Sequence, residues 1–319
     1  MSRTARTGLA FALLGAPAVV EAQGILLLAH GGSDDWNREV LALAERVDPT
    51  RPVEVAFGMA NKRTIRDAVD RLAEREVSSI VAVPLFVSSH SSVMRATEYL
   101  LGSRDEAPPE LQAFARMGAR RDSERADDDP GLDRTAPLEA SVPISVTTAL
   151  DDHALVADIL LSRVADVSRM PEDEVVVLVA HGPSSEEDNA LWLDSMETLA
   201  ERMRPHTPVS RIECLTVRDD ARDPVRSQAT AELRAVVERA LEEGKSVLIV
   251  PLLLSYGGIE VGIRRRLEGL SYRTAGRAPV AVGTDAGSGT LTEAAGVPLC
   301  AHARAEAACH TRRRNDDVN

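Results

Sequence analysis

The sequence contains one strand–loop–helix unit twice. Residues 24–32 read GILLLAHGG and residues 175–182 read VVVLVAHG, so each unit starts with a continuous apolar run that ends in Ala-His-Gly. A tryptophan follows in each copy, Trp36 and Trp192, and eight residues later both copies read Ala-Glu-Arg. The second copy has five more residues between the histidine and the tryptophan, which predicts a longer loop. Such recurrence indicates an internal duplication, so we expect two domains of one fold.

Later segments of the two copies also correspond in order and type. The pairs are 53–57 with 211–215, 63–75 with 225–242, and 79–87 with 246–254. Continuous apolar strands that alternate with amphipathic helices are typical of parallel sheets covered on both faces. The predicted fold class is therefore α/β, with two similar doubly wound parallel sheets of the flavodoxin-like type. Fourth strands are expected at residues 143–150 and 278–284.

Length and composition divide the chain further. Its 319 residues are enough for two domains, which we place at residues 23–150 and 151–284. Residues 102–141 are rich in proline and mixed charge, which predicts a solvated insert in the first domain with one short helix near residues 110–117. The last stretch, residues 285–319, is interpreted as a flexible tail.

Residues 1–22 have the pattern of a secretory signal peptide. Arg3 and Arg6 precede an apolar run of 13 residues and a small-residue cleavage site at Ala22. The run is too short to span a bilayer as a helix, which needs roughly 20 residues, so we expect no transmembrane span. The prediction is export to the periplasm, and the alternative is an N-terminal tail on a cytoplasmic protein.

The net charge restricts the function classes. With 37 Lys+Arg against 50 Asp+Glu, the chain carries a formal charge of −13. This argues against nucleic acid as a partner, because phosphate groups favour clustered basic residues. The three cysteines lack the paired C-x-x-C spacing of a zinc or redox site, so they are interpreted as structural or incidental.

Two histidines are the candidates for metal binding and catalysis. His30 ends the first apolar run, and His90 follows the third in the segment VSSHSSV. Ligands bind outside the carboxyl ends of parallel strands, and the first and third strands are neighbours in a flavodoxin-like order, so both imidazoles are expected to converge on one crevice. Imidazole suits divalent Co, Ni, Fe or Zn, and a neutral ring can also accept a proton. A single histidine after a strand is more often a hydrogen-bonded loop residue, whereas the pair favours a metal or catalytic site.

The strand ends AHGGSD and PLFVSSH, together with their duplication, resemble those of the class II sirohydrochlorin chelatases of the CbiX/SirB type over residues 24–284. The resemblance implies a lyase-type enzyme that inserts Co²⁺ or Fe²⁺, with Ni²⁺ as a further candidate, into sirohydrochlorin or a related tetrapyrrole of cobalamin or siroheme biosynthesis. It implies that His30 and His90 bind the metal and accept protons, with the metal as a substrate and no organic cofactor. The family often has a glutamate after its second strand, in a pattern such as FLELAEP. This chain reads FGMANKR, with Met59 at that place, which we interpret as a packing residue.

Further site residues follow from the same strand ends. His181 matches His30. Alignment of the third strands places Gly257 where the first half has His90, so the second half is predicted to hold only the remnant of a site. A polycarboxylate tetrapyrrole needs polar and cationic groups at the rim of the crevice. The candidates for substrate binding are Ser33, Arg38, Ser89 and Arg95, although a solvated surface position is an equal alternative for the arginines.

Two other function classes compete with a chelatase. The HGGS motif after a strand is similar to the oxyanion-hole motif of esterases, but the sequence has no G-x-S-x-G nucleophile elbow, which argues against a hydrolase. The alternative is an exported, non-enzymatic metal- or tetrapyrrole-binding protein on the chelatase scaffold. Met59 favours this alternative, as does the absence of a second histidine that could pair with His181 in the second half. The sequence leaves open the metal, the macrocycle and the oligomeric state.

Overall fold

The computed structural model describes residues 22–124, 129–254 and 258–275. Residues 1–21 of the predicted signal peptide and the predicted tail at 285–319 lie outside these ranges. The described residues form two four-stranded parallel sheets, which confirms the predicted α/β class with two similar sheets. None of the helices in the described ranges is long and apolar enough to cross a membrane.

The first sheet is built from the apolar runs of the first copy. Its strands are β1 (Gln23–Ala29), β2 (Val53–Phe57), β3 (Ser79–Leu85) and β4 (Ile144–Val146). They are parallel and lie in the order β2-β1-β3-β4. The helices are α1 (Asp34–Val47), α2 (Lys62–Glu74), α3 (Ser92–Leu100) and α4 (Leu111–Glu124). Alternate residues of β1 lie in two separate apolar clusters, one on each face, which explains why the strand is apolar throughout.

The second sheet has the same strand order. Its strands are β5 (Glu174–Ala180), β6 (Arg211–Thr216), β7 (Ser246–Pro251) and β8 (Arg273–Thr274), in the order β6-β5-β7-β8. The helices are α5 (Ala154–Val167), α6 (Glu186–Met203), α7 (Val225–Glu242) and α8 (Gly258–Arg266). Single 3₁₀ turns lie at Pro171–Asp173 and Arg204–His206.

The fourth strands differ from the prediction. In the first sheet, β4 is shorter than the expected 143–150. In the second sheet, the fourth strand is β8, and the expected strand at 278–284 lies outside the described residues. A two-residue edge strand of arginine and threonine has no apolar run, so hydrophobic patterning cannot find it.

The five additional residues of the second copy lie mostly in a helix. Ser33 caps α1 three residues after His30, whereas Ser185 caps α6 four residues after its own histidine. One residue is therefore added to the loop, and the other four add one turn to the start of α6. The prediction of a longer loop is wrong in this respect. Three acidic residues in this first turn, including Asp188, stabilise it, because the N-terminal end of a helix favours negative charge.

The charged insert packs on the first half and is not simply a solvated loop. It contains α4, which lies against α2 and is longer than the helix expected there. Asp122 of α4 is buried, accepts a hydrogen bond from Asn61 Nδ2 at 3.1 Å, and pairs with Arg63 and Arg134 at 3.2 and 2.6 Å. Lys62 donates to two carbonyl oxygens of the insert at 2.8 and 3.2 Å. The dense mixed charge therefore reflects paired ions, and the prediction of a solvated insert is wrong for these residues.

Helix α5 follows the first sheet in the sequence but packs on the second. Its buried apolar residues lie in the same core cluster as residues of β5 and α6: Val156, Ala157, Leu160 and Val164. The chain thus crosses from one half to the other between β4 and α5, and this crossing brings the two halves into contact.

Candidate metal site

His30 lies in the turn between β1 and α1. The turn favours a glycine at the next position, because Gly31 has a φ of +73°, a conformation that side chains disfavour. The imidazole is exposed, and its Nδ1 lies 2.7 Å from the carbonyl oxygen of Gly31. Since a carbonyl oxygen only accepts hydrogen bonds, Nδ1 carries the proton, and Nε2 of the neutral ring keeps its lone pair. The turn therefore presents an atom that can bind a metal ion or accept a proton.

His90 lies in the loop between β3 and α3 and is half-buried. Its backbone N–H donates to Ser88 Oγ at 3.1 Å, and its carbonyl oxygen accepts from Trp192 Nε1 at 2.6 Å. Strands β1 and β3 are paired, with Ala29 opposite Leu85, so the loops that follow them lie at the same edge of the sheet. The structure therefore brings both predicted histidines to the carboxyl end of the first sheet.

Two of the four predicted substrate-binding residues lie at the start of α1. Ser33 Oγ accepts a hydrogen bond from the backbone N–H of Trp36 at 3.3 Å, so it caps the helix. Arg38 forms an exposed ion pair with Asp35. Both side chains therefore have a partner within the helix, and their contact with a substrate stays a prediction.

The other two predicted substrate-binding residues, Ser89 and Arg95, are held by other parts of the chain. Asp151 accepts from the backbone N–H and the hydroxyl of Ser89, both at 2.7 Å. Arg95 donates to both carboxylate oxygens of Asp188, at 2.8 and 2.9 Å, across the boundary between the halves. The charge of Arg95 is thus matched by a carboxylate of the protein, and substrate binding by either residue stays a prediction.

The turn around His181 repeats the turn around His30. Gly182 has a φ of +68°, and Nδ1 of His181 lies 2.8 Å from the carbonyl oxygen of Gly182. Nε2 has a partner of its own, since it lies 3.5 Å from Oδ2 of Asp220. Gly257, predicted to match His90, lies outside the described residues. The interpretation of the second half as the remnant of a site stays a prediction.

Neither half has a carboxylate at the position of Met59. Met59 and Arg218 occupy equivalent positions in the two sheets. In each sheet the central strand ends in an alanine that pairs with a residue of the neighbouring strand, and Met59 or Arg218 lies two residues after that paired residue. Met59 is half-buried. Arg218 is buried and donates to two carbonyl oxygens of the loop after His181, at 2.5 and 2.8 Å. Sequence reasoning missed Arg218, since only the strand register reveals the match.

The candidate ligands are the imidazoles of His30 and His90, which follow the paired strands β1 and β3. Within the three described ranges, no group of three or more His, Cys, Asp and Glu side chains could hold a metal ion. A closed set of four ligands is typical of structural metals, whereas a site that hands on its ion needs open positions. Metal binding by His30 and His90 stays a prediction.

The sequence matches one protein-family model, described as CbiX, over residues 24–167. No curated protein matches the sequence significantly.

Two solved structures of SirB are similar to this chain. SirB from Bacillus subtilis with Fe³⁺ is 19% identical, with a TM-score of 0.50, over 80% of this chain and 88% of that protein. The sirohydrochlorin chelatase SirB from Bacillus subtilis subspecies spizizenii in complex with cobalt is 17% identical, with a TM-score of 0.48, over 80% and 86% of the two chains. The first of these likenesses shows a shared fold.

Proposed function

We propose that the protein is a sirohydrochlorin chelatase-type enzyme, because residues 24–167 match the family model described as CbiX. The observation that carries the proposal is the position of His30 and His90, which follow the neighbouring strands β1 and β3 within the matched residues. The proposed reaction is the insertion of a divalent cation into a tetrapyrrole, a lyase-type reaction in which the metal ion is a substrate.

Metal insertion exchanges one divalent cation for two protons. Two pyrrole nitrogens each lose a proton, and the ring nitrogens replace the ligands that held the ion. Nε2 of His30 has a lone pair available because Nδ1 donates to Gly31, and imidazole is an effective base near neutral pH. In the proposed mechanism His30 and His90 hold the ion at the open crevice. Each imidazole then accepts a pyrrole proton after it has released the ion, and passes the proton to water.

We propose Co²⁺ or Fe²⁺ as the inserted ion, with Ni²⁺ as a further candidate. Imidazole is a suitable ligand for all three. The similar SirB structures contain Fe³⁺ and cobalt. Two protein ligands bind an ion less tightly than a complete set, which favours its transfer to a macrocycle. Sirohydrochlorin is the proposed macrocycle, in cobalamin or siroheme biosynthesis, and no organic cofactor enters the proposal.

The absorption of sirohydrochlorin, followed with Co²⁺ and the purified protein, tests this function. We expect turnover above the protein-free rate, and we expect His90→Ala to lower the rate by about 100-fold, because positioned acid–base groups typically contribute about 10²–10⁴. His206→Ala is the matched control, since His206 is exposed and lies beyond the far end of α6. An unchanged rate in His90→Ala would overturn the assignment of the site.

A second candidate function is the binding of a metal ion or a tetrapyrrole without turnover. Two observations favour it: the cations of Arg38 and Arg95 already pair with Asp35 and Asp188, and Met59 supplies no carboxylate. Saturable Co²⁺ binding with no metal insertion above the protein-free rate would identify this function.

We propose further that residues 1–22 direct export to the periplasm, with residence in the cytoplasm as the alternative. The support is the basic start, the apolar run and the cleavage pattern at Ala22. N-terminal sequencing of protein recovered from a periplasmic fraction is the test, with Gln23 expected as the first residue. Recovery only in the cytoplasm, with the chain still starting at Met1, would contradict export.

A further inference from the structure

Two side chains of α6, a helix of the second half, reach the His90 region of the first half. Trp192 Nε1 donates to the carbonyl oxygen of His90 at 2.6 Å, and Asp188 accepts two hydrogen bonds from Arg95 at 2.8 and 2.9 Å. Asp188 and Trp192 are four residues apart, so they lie on one face of the helix. Only 8% of Trp192 is exposed, so its hydrogen bond is shielded from water. One face of α6 thus holds both the His90 loop and helix α3.

A second segment also holds the loop that carries His90. Asp151, which follows β4, accepts from the backbone N–H and the hydroxyl of Ser89, both at 2.7 Å. The N–H of His90 itself donates to Ser88 Oγ at 3.1 Å, so both backbone polar groups of His90 are bonded. The backbone of His90 therefore cannot shift without breaking these hydrogen bonds, and only its side-chain torsions remain adjustable.

The part of α6 that makes these contacts includes the turn that α1 lacks. Four of the five additional residues of the second copy extend the start of α6, and Asp188 lies in that first turn. The other helix of this type, α1, starts next to His30 within its own half. The additional turn thus brings a carboxylate of the second half to Arg95.

We propose that Trp192 and Asp188 are positioning residues that fix the backbone of the His90 loop, and that the second half supports the first-half site through them. The inference rests on the proposed function, in which His90 binds the metal ion. Residues that support a ligand from a second layer affect metal binding, because the ligand must be held close to its productive geometry.

The test uses Trp192→Phe, which keeps an aromatic ring in the core and removes the Nε1–H donor. The matched control is Thr216→Val. It removes the buried 2.7 Å hydrogen bond that Thr216 Oγ1 donates to Asn189 Oδ1, and Asn189 lies on the same helix as Trp192, so this bond stays within the second half. Two quantities are measured: the NMR signals of the His90 imidazole in the metal-free full-length protein, and the dissociation constant for Co²⁺. We expect Trp192→Phe to shift or broaden the imidazole signals and to weaken Co²⁺ binding by about tenfold, and Thr216→Val to do neither.

A second variant distinguishes the loss of positioning from a loss of folding. Asp188→Asn removes the charge that pairs with Arg95 and leaves the core intact, and we expect a change in the same direction with an unchanged circular dichroism spectrum. Unaltered His90 signals and Co²⁺ affinity in both variants would overturn the positioning role, as would equal effects in Thr216→Val.

Failure of the proposed function has a different signature. If the wild-type protein binds no Co²⁺, the chelatase proposal fails. The positioning of His90 is then decided by the NMR comparison of the metal-free proteins alone: altered His90 signals support it, and unaltered signals overturn it.

Discussion

At the scale of single residues, Glu174 is the carboxylate that the fold encloses most completely. It starts β5 and has no exposed surface. Burial raises the pKa of a carboxyl group, but three hydrogen bonds outweigh this effect, from Ser168 Oγ at 2.6 Å and from the backbone N–H groups of Arg169 and Met170 at 2.9 and 3.1 Å. Together with the ion pair to Arg273, they lower the pKa of Glu174 to about 2.

This shift makes the stability of the protein depend on pH. Since the folded-state pKa lies below the ordinary value of 4.5, the carboxylate stabilises the fold fully above that pH, and the contribution is lost as the pH falls towards 2. We expect Glu174→Gln to lower the free energy of unfolding by about 3 kcal/mol at neutral pH and to flatten the loss of stability in acid. Urea unfolding at neutral and acidic pH measures both effects, and an identical pH dependence in the two proteins would contradict them.

Single residues of the site differ in how far the sequence predicts them. His30 and His90 could be predicted because each follows an apolar run, and the ends of parallel strands meet at one edge of a sheet. Asp151 and Trp192 could not, since they contact the His90 loop from segments 62 and 102 residues away and belong to no local pattern.

At the scale of elements, α4 shows how a charged segment can be part of a core. Asp122 is 2% exposed and pairs with Arg63 and Arg134. We expect Asp122→Ala to lower the free energy of unfolding by about 3 kcal/mol, because it removes a buried carboxylate and leaves two largely buried guanidinium groups without this partner.

Thermal unfolding measures this effect, and Glu124→Ala is the control in the same helix. Glu124 pairs with Arg120, and the two side chains are 60% and 82% exposed, so the control is expected to cost less than about 0.5 kcal/mol. A loss in Asp122→Ala as small as that in Glu124→Ala would show that the insert does not depend on this cluster.

The elements predicted from the sequence are those with a hydrophobic signal. Strand β2 has the predicted limits. Strands β1 and β3 agree with their predicted limits within a few residues, because their apolar runs are buried on both faces. The five additional residues between His181 and Trp192 predict a longer loop, whereas four of them form a helical turn that its acidic residues stabilise. Hydrophobic patterning alone does not separate a polar helical turn from a loop.

At the scale of the whole molecule, one half carries both candidate ligands, and the other half contacts the loop of one of them, His90. We propose that the chain divides near residue 150, since α5 packs on the second sheet although it follows β4.

The formal charge of −13 attracts a divalent cation and opposes a polycarboxylate, so substrate capture depends on local cations. Of the whole-molecule features, the net charge and the duplication can be predicted from the sequence. The contacts between the halves required the structure.

We propose that only the first half inserts metal. The chain offers a matched pair for the test, since His30 and His181 occupy equivalent turns, with Nδ1 2.7 and 2.8 Å from the next carbonyl oxygen. The decisive measurement is the rate of Co²⁺ insertion into sirohydrochlorin by His30→Ala and His181→Ala beside the wild type. We predict a loss of about 100-fold in His30→Ala and a wild-type rate in His181→Ala. Equal rates in the two variants, or a loss confined to His181→Ala, would contradict the claim.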